Sequence, residues 1–256
     1  MQKKIIDFHI HPFLDAKNNI CRYKNNCNFA ESKNYLEEAG IVQACGSVCR
    51  FFSSPTWADI QMLNDEALKL RTLYPDFYIV GFHIHPKFVK ESVAEVERMA
   101  ALGVKLVGEL IPYQHDWKYS DKGFLDILEA VEHYGMLVNF HTIAEEFNAV
   151  ENALKRFPKI NFVAAHPGEY DIYAKHICLM KDYENYYLDL SGTGLFRFGM
   201  LRYGIDQVGA NRFLFGTDFP ICNPFMYIGG IESDYTLTEE EKRAIFFDNA
   251  QSLLDV

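Results

Sequence analysis

Six residues of metal-ligand type, His9, His11, Glu109, His141, His166 and Asp218, each stand at or near the end of a short apolar run. Imidazole nitrogens and carboxylate oxygens are the ligands expected for zinc or a similar divalent ion. Such an ion draws the pKa of its water toward neutrality, and a neighbouring carboxylate can take the proton and deliver it to a leaving group. Residues two apart in an extended strand point the same way, so His9 and His11 can both face one end of a barrel. Taken singly, a histidine at a strand end is more often a polar cap or a satisfied core group. Five different strands ending in such residues at one face do not fit that reading. For His9, His11, His166 and Asp218, metal binding is the better account.

The elements that must position these residues are legible as two alternating periods. Eight short runs, 4–10, 42–48, 78–84, 104–111, 136–141, 161–166, 187–191 and 213–217, are β-branched and aromatic-rich. They read as strands buried on both faces in a parallel sheet. Between them the period is that of amphipathic helices. Ile60, Leu63, Ala67, Leu68 and Leu70 stand against Asp65, Glu66 and Lys69, and Val93, Val96, Met99 and Ala100 against Glu95, Glu97 and Arg98. Further helices are expected over 29–39, 124–134, 145–157, 169–181, 195–208 and 239–254, with Gly40 stopping the first of these. Eight strands alternating with eight helices predict an α/β (β/α)8 TIM barrel, one domain over 1–256. An open doubly wound sheet would place a glycine-rich phosphate loop after its first strand, where this chain has His9, His11 and Pro12.

Composition narrows the partners. With 49% apolar and 15% aromatic residues the chain can bury a large core and is not disordered. A formal net charge of −10 would repel duplex DNA, which disfavours a nucleic-acid partner. No apolar run approaches the ~20 residues of a membrane span. The six cysteines show no zinc-ribbon spacing, and no signal peptide is visible because Asp7 and His9 interrupt the apolar run from Ile5 to Ile10. Reduced thiols in a cytoplasmic protein are expected.

The segments Asp7-Phe8-His9-Ile10-His11-Pro12, Ala165-His166-Pro167-Gly168, Tyr187-Leu188-Asp189-Leu190-Ser191-Gly192 and Phe215-Gly216-Thr217-Asp218-Phe219-Pro220 resemble the amidohydrolase superfamily. More narrowly, they resemble its amidohydrolase-related metal-dependent branch (amidohydrolase 2 type), which includes decarboxylases and lactone hydrolases. The resemblance runs from the first predicted strand to the last. It implies that His9 and His11 bind the more buried metal, and that Asp218 ligates it while accepting a proton from water. It also implies a second metal on His141 and His166, or, in a one-metal site, a substrate or metal contact for one of them. Val107-Gly108-Glu109-Leu110 departs from the one-metal branch. It is similar to TatD-like nucleases and phosphotriesterase-related hydrolases, where a fourth-strand acid or a carbamylated lysine bridges two metals. Lys105 would lie roughly 13 Å deeper at about 3.3 Å per residue, which favours Glu109 as the bridge. The alternative for Glu109 is a buried ion pair with Lys105 or Arg50. Six ligands exceed the three that a catalytic zinc takes beside water, so the expected cofactor is a divalent metal, zinc foremost, with two ions favoured over one.

The same face supplies candidates for specificity. A second His-x-His, His83-Ile84-His85-Pro86, closes the third strand, and the resemblance places it beside the metals, in substrate contact or in support of the ligands. His115, His133 and His176 fall in a loop or on helices and read as surface residues. The loop 13–28 is long and basic, with Lys17, Arg22 and Lys24; Arg50-Phe51-Phe52, the segment from Tyr113 to Tyr119, and Phe196-Arg197-Phe198 follow later strands. Arginines among aromatics suit a small anionic or aromatic substrate, the alternative being a solvated rim. Arg50, His83, His85, Tyr113 and Arg197 are therefore the candidate substrate-binding residues. The expected function is hydrolysis of a small-molecule amide, ester, lactone or phosphoester by metal-activated water. Non-oxidative decarboxylation of an aromatic acid on one metal is the alternative, followed by a TatD-like nuclease, which the charge disfavours. A binding protein on a catalytically dead barrel is disfavoured by the full ligand set, and a homo-oligomer is left open.

Overall fold

Each of the eight apolar runs overlaps a strand: β1 (Ile5–Asp7), β2 (Ile41–Ser47), β3 (Tyr78–Phe82), β4 (Leu106–Leu110), β5 (Leu137–His141), β6 (Phe162–Ala165), β7 (Tyr186–Asp189) and β8 (Phe213–Leu214). The computed structural model describes residues 4–23 and 27–255. The strands pair in chain order and all pairs are parallel. The circle closes beyond β1 and β8. There Phe8 donates its N–H to the Phe215 carbonyl (2.8 Å), Asp218 to that of His9 (2.8 Å) and His11 to that of Phe219 (2.7 Å). The fold is a (β/α)8 TIM barrel.

The helices α1 (Phe29–Glu38), α2 (Trp57–Leu73), α3 (Val89–Ala101), α4 (Lys122–His133), α5 (Phe147–Arg156), α6 (Tyr170–Asp182) and α7 (Met200–Val208) fall between successive strands. Reciprocal side-chain caps start two of them, Asn28 with Glu31 and Thr56 with Asp59. After β8 come α8 (Pro224–Glu232), α9 (Glu239–Arg243) and α10 (Asn249–Leu254). Three features depart from the sequence reading. The helix expected over 195–208 starts only at Met200, because Gly194 and Gly199 hold φ at 123° and 79°. The helix expected over 239–254 is interrupted by a π-helical turn, Ala244–Asp248. No helix was expected at α8, where Asn223 caps the Phe225 N–H and Pro224 occupies the first turn.

Two apolar layers leave one end of the barrel free for chemistry. The larger lies between sheet and helices and includes Phe29, Leu63, Phe82, Phe124, Phe162 and Phe213. The smaller joins Ile6, Phe8, Cys45, Leu106, Leu137, Val163 and Leu214 to Ala250 and Leu254 of α10. Leu106 and Leu137 are the first residues of β4 and β5, at the end away from Glu109 and His141, and α10 shares this cluster with them. Above this floor the buried residues turn polar, with Asn139 and Asp189. All six cysteines are unpaired. Among the described residues, no helix is long and apolar enough to cross a membrane.

Candidate metal centre

His9, His11, Glu109, His166 and Asp218 converge at the C-terminal ends of the strands. The Nε2 atoms of His9 and His11 are 3.2 Å apart. Glu109 Oε2 lies 3.2 Å from the first and 3.3 Å from the second. Asp218 Oδ1 is 3.4 Å from His11 Nε2 and 3.8 Å from His9 Nε2. Atoms bound tetrahedrally at ~2.0–2.1 Å from zinc stand about 3.3 Å from one another. His9, His11 and Asp218 are thus spaced roughly as three ligands of one ion would be, and Glu109 Oε2 stands at a similar distance from both imidazoles. Among the described residues, His9, His11 and Asp218 form one group able to hold a metal, and His9, Glu109 and His166 another.

The hydrogen bonds on the far side of each ring explain why these nitrogens are free to bind. His9 Nδ1 faces Asp189 Oδ2 at 3.0 Å, and His11 Nδ1 faces the Ser47 carbonyl at 3.0 Å. Both partners accept only, so both Nδ1 atoms carry a proton, and in the neutral ring each Nε2 offers a lone pair to a metal. His166 follows the same rule. The Ser191 hydroxyl gives its proton to Asp189, so it accepts from His166 Nδ1 at 3.1 Å. Lone pairs and carboxylates turned toward one another repel unless a cation sits among them, and that is the test a metal site must meet. The donor set fits a divalent ion.

Electrostatics say the same in another form. Burial disfavours charge on His9, yet the Glu109 and Asp189 carboxylates outweigh it and raise its pKa well above the ordinary value. Burial likewise opposes charge on His11, and hydrogen bonds to Asp218 and Glu109 raise it to about 9. Glu109, although buried, is held well below the usual carboxylate range by His9 and His141. Protons and a divalent cation compete for the same atoms.

Glu109 has two faces. Its Oε2 meets His9 and His11, whereas its Oε1 meets His141 Nδ1 at 2.9 Å and His166 Nε2 at 3.4 Å. The alternative ion pairs are not formed: Lys105 pairs with Asp255 and Arg50 with Glu66. His141 stands beside the cluster, joined to it through Glu109 and by a ring contact with His166 at 4.6 Å.

A cavity of about 790 Å³ opens over the cluster, lined by His11, Glu109, His141, His166 and Asp218 and by walls that include Arg22, Tyr113, Phe196 and Tyr227. Its volume is in the range of small-molecule sites. Tyr113 lines it, edge-on to His141 at 5.1 Å. The other four substrate-binding candidates do not line it. Arg50 is drawn off by Glu66, and Arg197 pairs with Glu169 at 2.8 Å and lies over the Phe196 ring. His83 Nε2 donates to the Val48 carbonyl at 2.8 Å, and His85 Nε2 to that of His115 at 2.8 Å, so both rings serve to pin loops. Lys24 of the basic loop lies outside the described residues.

Two histidines read as surface residues are buried. His115 Nε2 faces the Arg50 carbonyl at 3.1 Å, and His176 Nδ1 faces the Tyr186 hydroxyl at 2.8 Å; His133 is exposed. Burial pushes His83 and His176 down to about 3 and His115 to about 4. These three rings stay neutral in the folded chain while their unfolded counterparts protonate near 6.5. Stability is therefore full above that pH and falls as acid is added, by about 1.4 kcal/mol per pH unit for each ring. Melting temperature followed from pH 7 to pH 5 should drop steeply; a flat profile would contradict neutral burial.

Sequence reasoning also missed the residues that orient the ligands. Asp189 and Ser191 hold His9 and His166, Asn139 donates to Asp189 at 3.1 Å, and Asp7 ties the His9 and Thr217 N–H groups together at 3.1 and 3.0 Å. The available signal was the two-residue spacing of Asp189 and Ser191 at a strand end, which puts both on one face.

A family model described as Amidohydrolase matches residues 6–256. No curated protein matches the chain by sequence. Among solved structures, an uncharacterized TIM-barrel protein from Bordetella bronchiseptica superposes with a TM-score of 0.78 at 20% identity, over 98% of each chain. A 2,6-dihydroxybenzoate decarboxylase from Rhizobium gives 0.73 at 15% identity, over 100% of this chain and 99% of that one. A dihydroxybenzoic acid decarboxylase from Polaromonas sp. JS666, solved with manganese and 2-nitroresorcinol, gives 0.68 at 14% identity, over 99% and 97%. At such identities the likeness is one of fold.

Proposed function

Since the chain belongs to the amidohydrolase family, we propose that it is a metal-dependent hydrolase of a small molecule, with two divalent ions at the barrel mouth. The observation that carries this reading is the two-faced Glu109 carboxylate, one oxygen toward His9 and His11 and the other toward His141 and His166. A carboxylate so placed is suited to bridge two cations. In this reading His9, His11 and Asp218 would hold one ion, and His166, with His141 beside it, would hold the other. When bound, the cations supply Lewis acidity, bringing a water close to ionisation at neutral pH and polarising the bond to be cleaved.

The protein's own groups do the rest. Asp218 lines the cavity, where its carboxylate accepts the proton of the attacking water and returns it to the leaving group. Asp189, Ser191 and the Ser47 carbonyl keep the imidazoles in the tautomer that binds.

Metal analysis with added zinc or manganese, on the parent and on Glu109→Gln, tests the reading. Two ions per chain are expected in the parent and at most one in the variant, whose amide cannot bridge as an anion. One ion per chain in both would sink the two-metal form. A second reading would then take its place, non-oxidative decarboxylation of an aromatic acid, which the decarboxylases among the similar structures favour. Release of carbon dioxide from such acids would distinguish it.

A further inference from the structure

We propose that Arg22 sets the substrate class, by receiving a carboxylate carried on a part of the substrate other than the reacting bond. The inference deepens the metal-dependent reading above and rests on it. Among the described residues, Arg22 is the one lysine or arginine that lines the cavity. The lining carboxylates, Glu109 and Asp218, both belong to the metal centre. Apart from the histidines and bound metal, the positive side-chain charge that the described residues bring to the cavity comes from this guanidinium.

The competing arginines are committed elsewhere, Arg50 to Glu66 and Arg197 to Glu169. Arg22 has no acidic partner among the described residues. Its loop is nonetheless anchored. Leu14 donates its N–H to Glu66 at 2.9 Å, on the same carboxylate that holds Arg50. The Asn19 side chain then accepts from the Cys21 N–H at 2.8 Å, and the Cys21 thiol donates to the Tyr23 carbonyl at 3.0 Å. The cavity lining also offers apolar and aromatic surface, with Ile20, Ile111, Tyr113 and Phe196, beside the polar Gln114, Thr142 and Thr193. A guanidinium fork matches a carboxylate with two parallel hydrogen bonds, which a lysine cannot copy. The substrate this cavity fits is a carboxylate joined to a flat apolar body.

Benzoate and terephthalate separate the two ends of the site. Either can place one carboxylate on the metal, but only terephthalate keeps a second for Arg22. Binding is measured by calorimetry on zinc-loaded parent, Arg22→Gln and Arg22→Lys, with metal content determined on the same samples. The parent should bind terephthalate about tenfold or more tightly than benzoate, the scale of a charge-assisted hydrogen bond. Arg22→Gln should lose that preference at unchanged metal content, and Arg22→Lys should keep part of it. A parent without the preference, or an Arg22→Gln variant that retains it, overturns the assignment. Failure of the metal-dependent reading would appear separately, as a parent that binds no metal.

Discussion

Asp218→Asn should lower turnover by roughly two to four orders of magnitude, the usual contribution of a positioned acid–base group. The amide cannot take a proton from water, so the loss falls on the chemical step. Little else should change. The Asp218 N–H that closes the barrel against the His9 carbonyl belongs to the backbone and survives the substitution. Its φ of 61° suits asparagine as well as aspartate. His9, His11, Glu109 and His166 still present their donors, so most bound metal should remain. The measurement is turnover beside metal content and melting temperature. Near-parental turnover at full metal content would remove Asp218 from the proton-transfer role.

Replacing both His9 and His11 with alanine should weaken zinc binding by a factor on the order of 10³ or more, since a full zinc site is worth ~10–16 kcal/mol spread over four ligands. The barrel itself should persist. The closure bonds at this point are made by main-chain groups, including His11 N–H to Phe219, and the apolar floor with α10 lies at the other end. Stability should nevertheless fall, because Glu109, Asp189 and Asp218 would face one another without the imidazoles between them. Circular dichroism and metal titration together decide the matter. A double variant that keeps its full metal content would show that the ion sits elsewhere.

The strands were legible because each is a short run buried on both faces, and a parallel strand of that kind has a composition no surface helix shares. The candidate ligands stood out because a polar residue at the end of such a run has few structural uses. What stayed hidden depends on partners far away in the chain. Asp189 meets His9 across 180 positions, and neither residue type announces the other. Arg50 and Arg197 looked free because Glu66 and Glu169, the acids that hold them, lie on or beside neighbouring helices. His115 and His176 looked exposed because their hydrogen-bond acceptors, a backbone carbonyl and a phenol, leave no pattern in sequence. Helix α8 escaped notice because Ile228, Gly229, Gly230 and Ile231 give it no polar face against which a period could show.

The backbone at His166 and Asp218 bears on how this site can evolve. Both residues hold φ in the left-handed region, at 68° and 61°, a conformation that side chains other than glycine resist. Two positions to which the proposed function gives a role in the reaction are therefore also positions where the native residue is thermodynamically second best. A descendant that no longer needs the chemistry could exchange either one for glycine and become more stable by doing so, the familiar exchange between activity and robustness. Sequence drift in inactive copies should lead through glycine or asparagine at these positions. β-branched residues should be absent there, whatever the substrate of the active members.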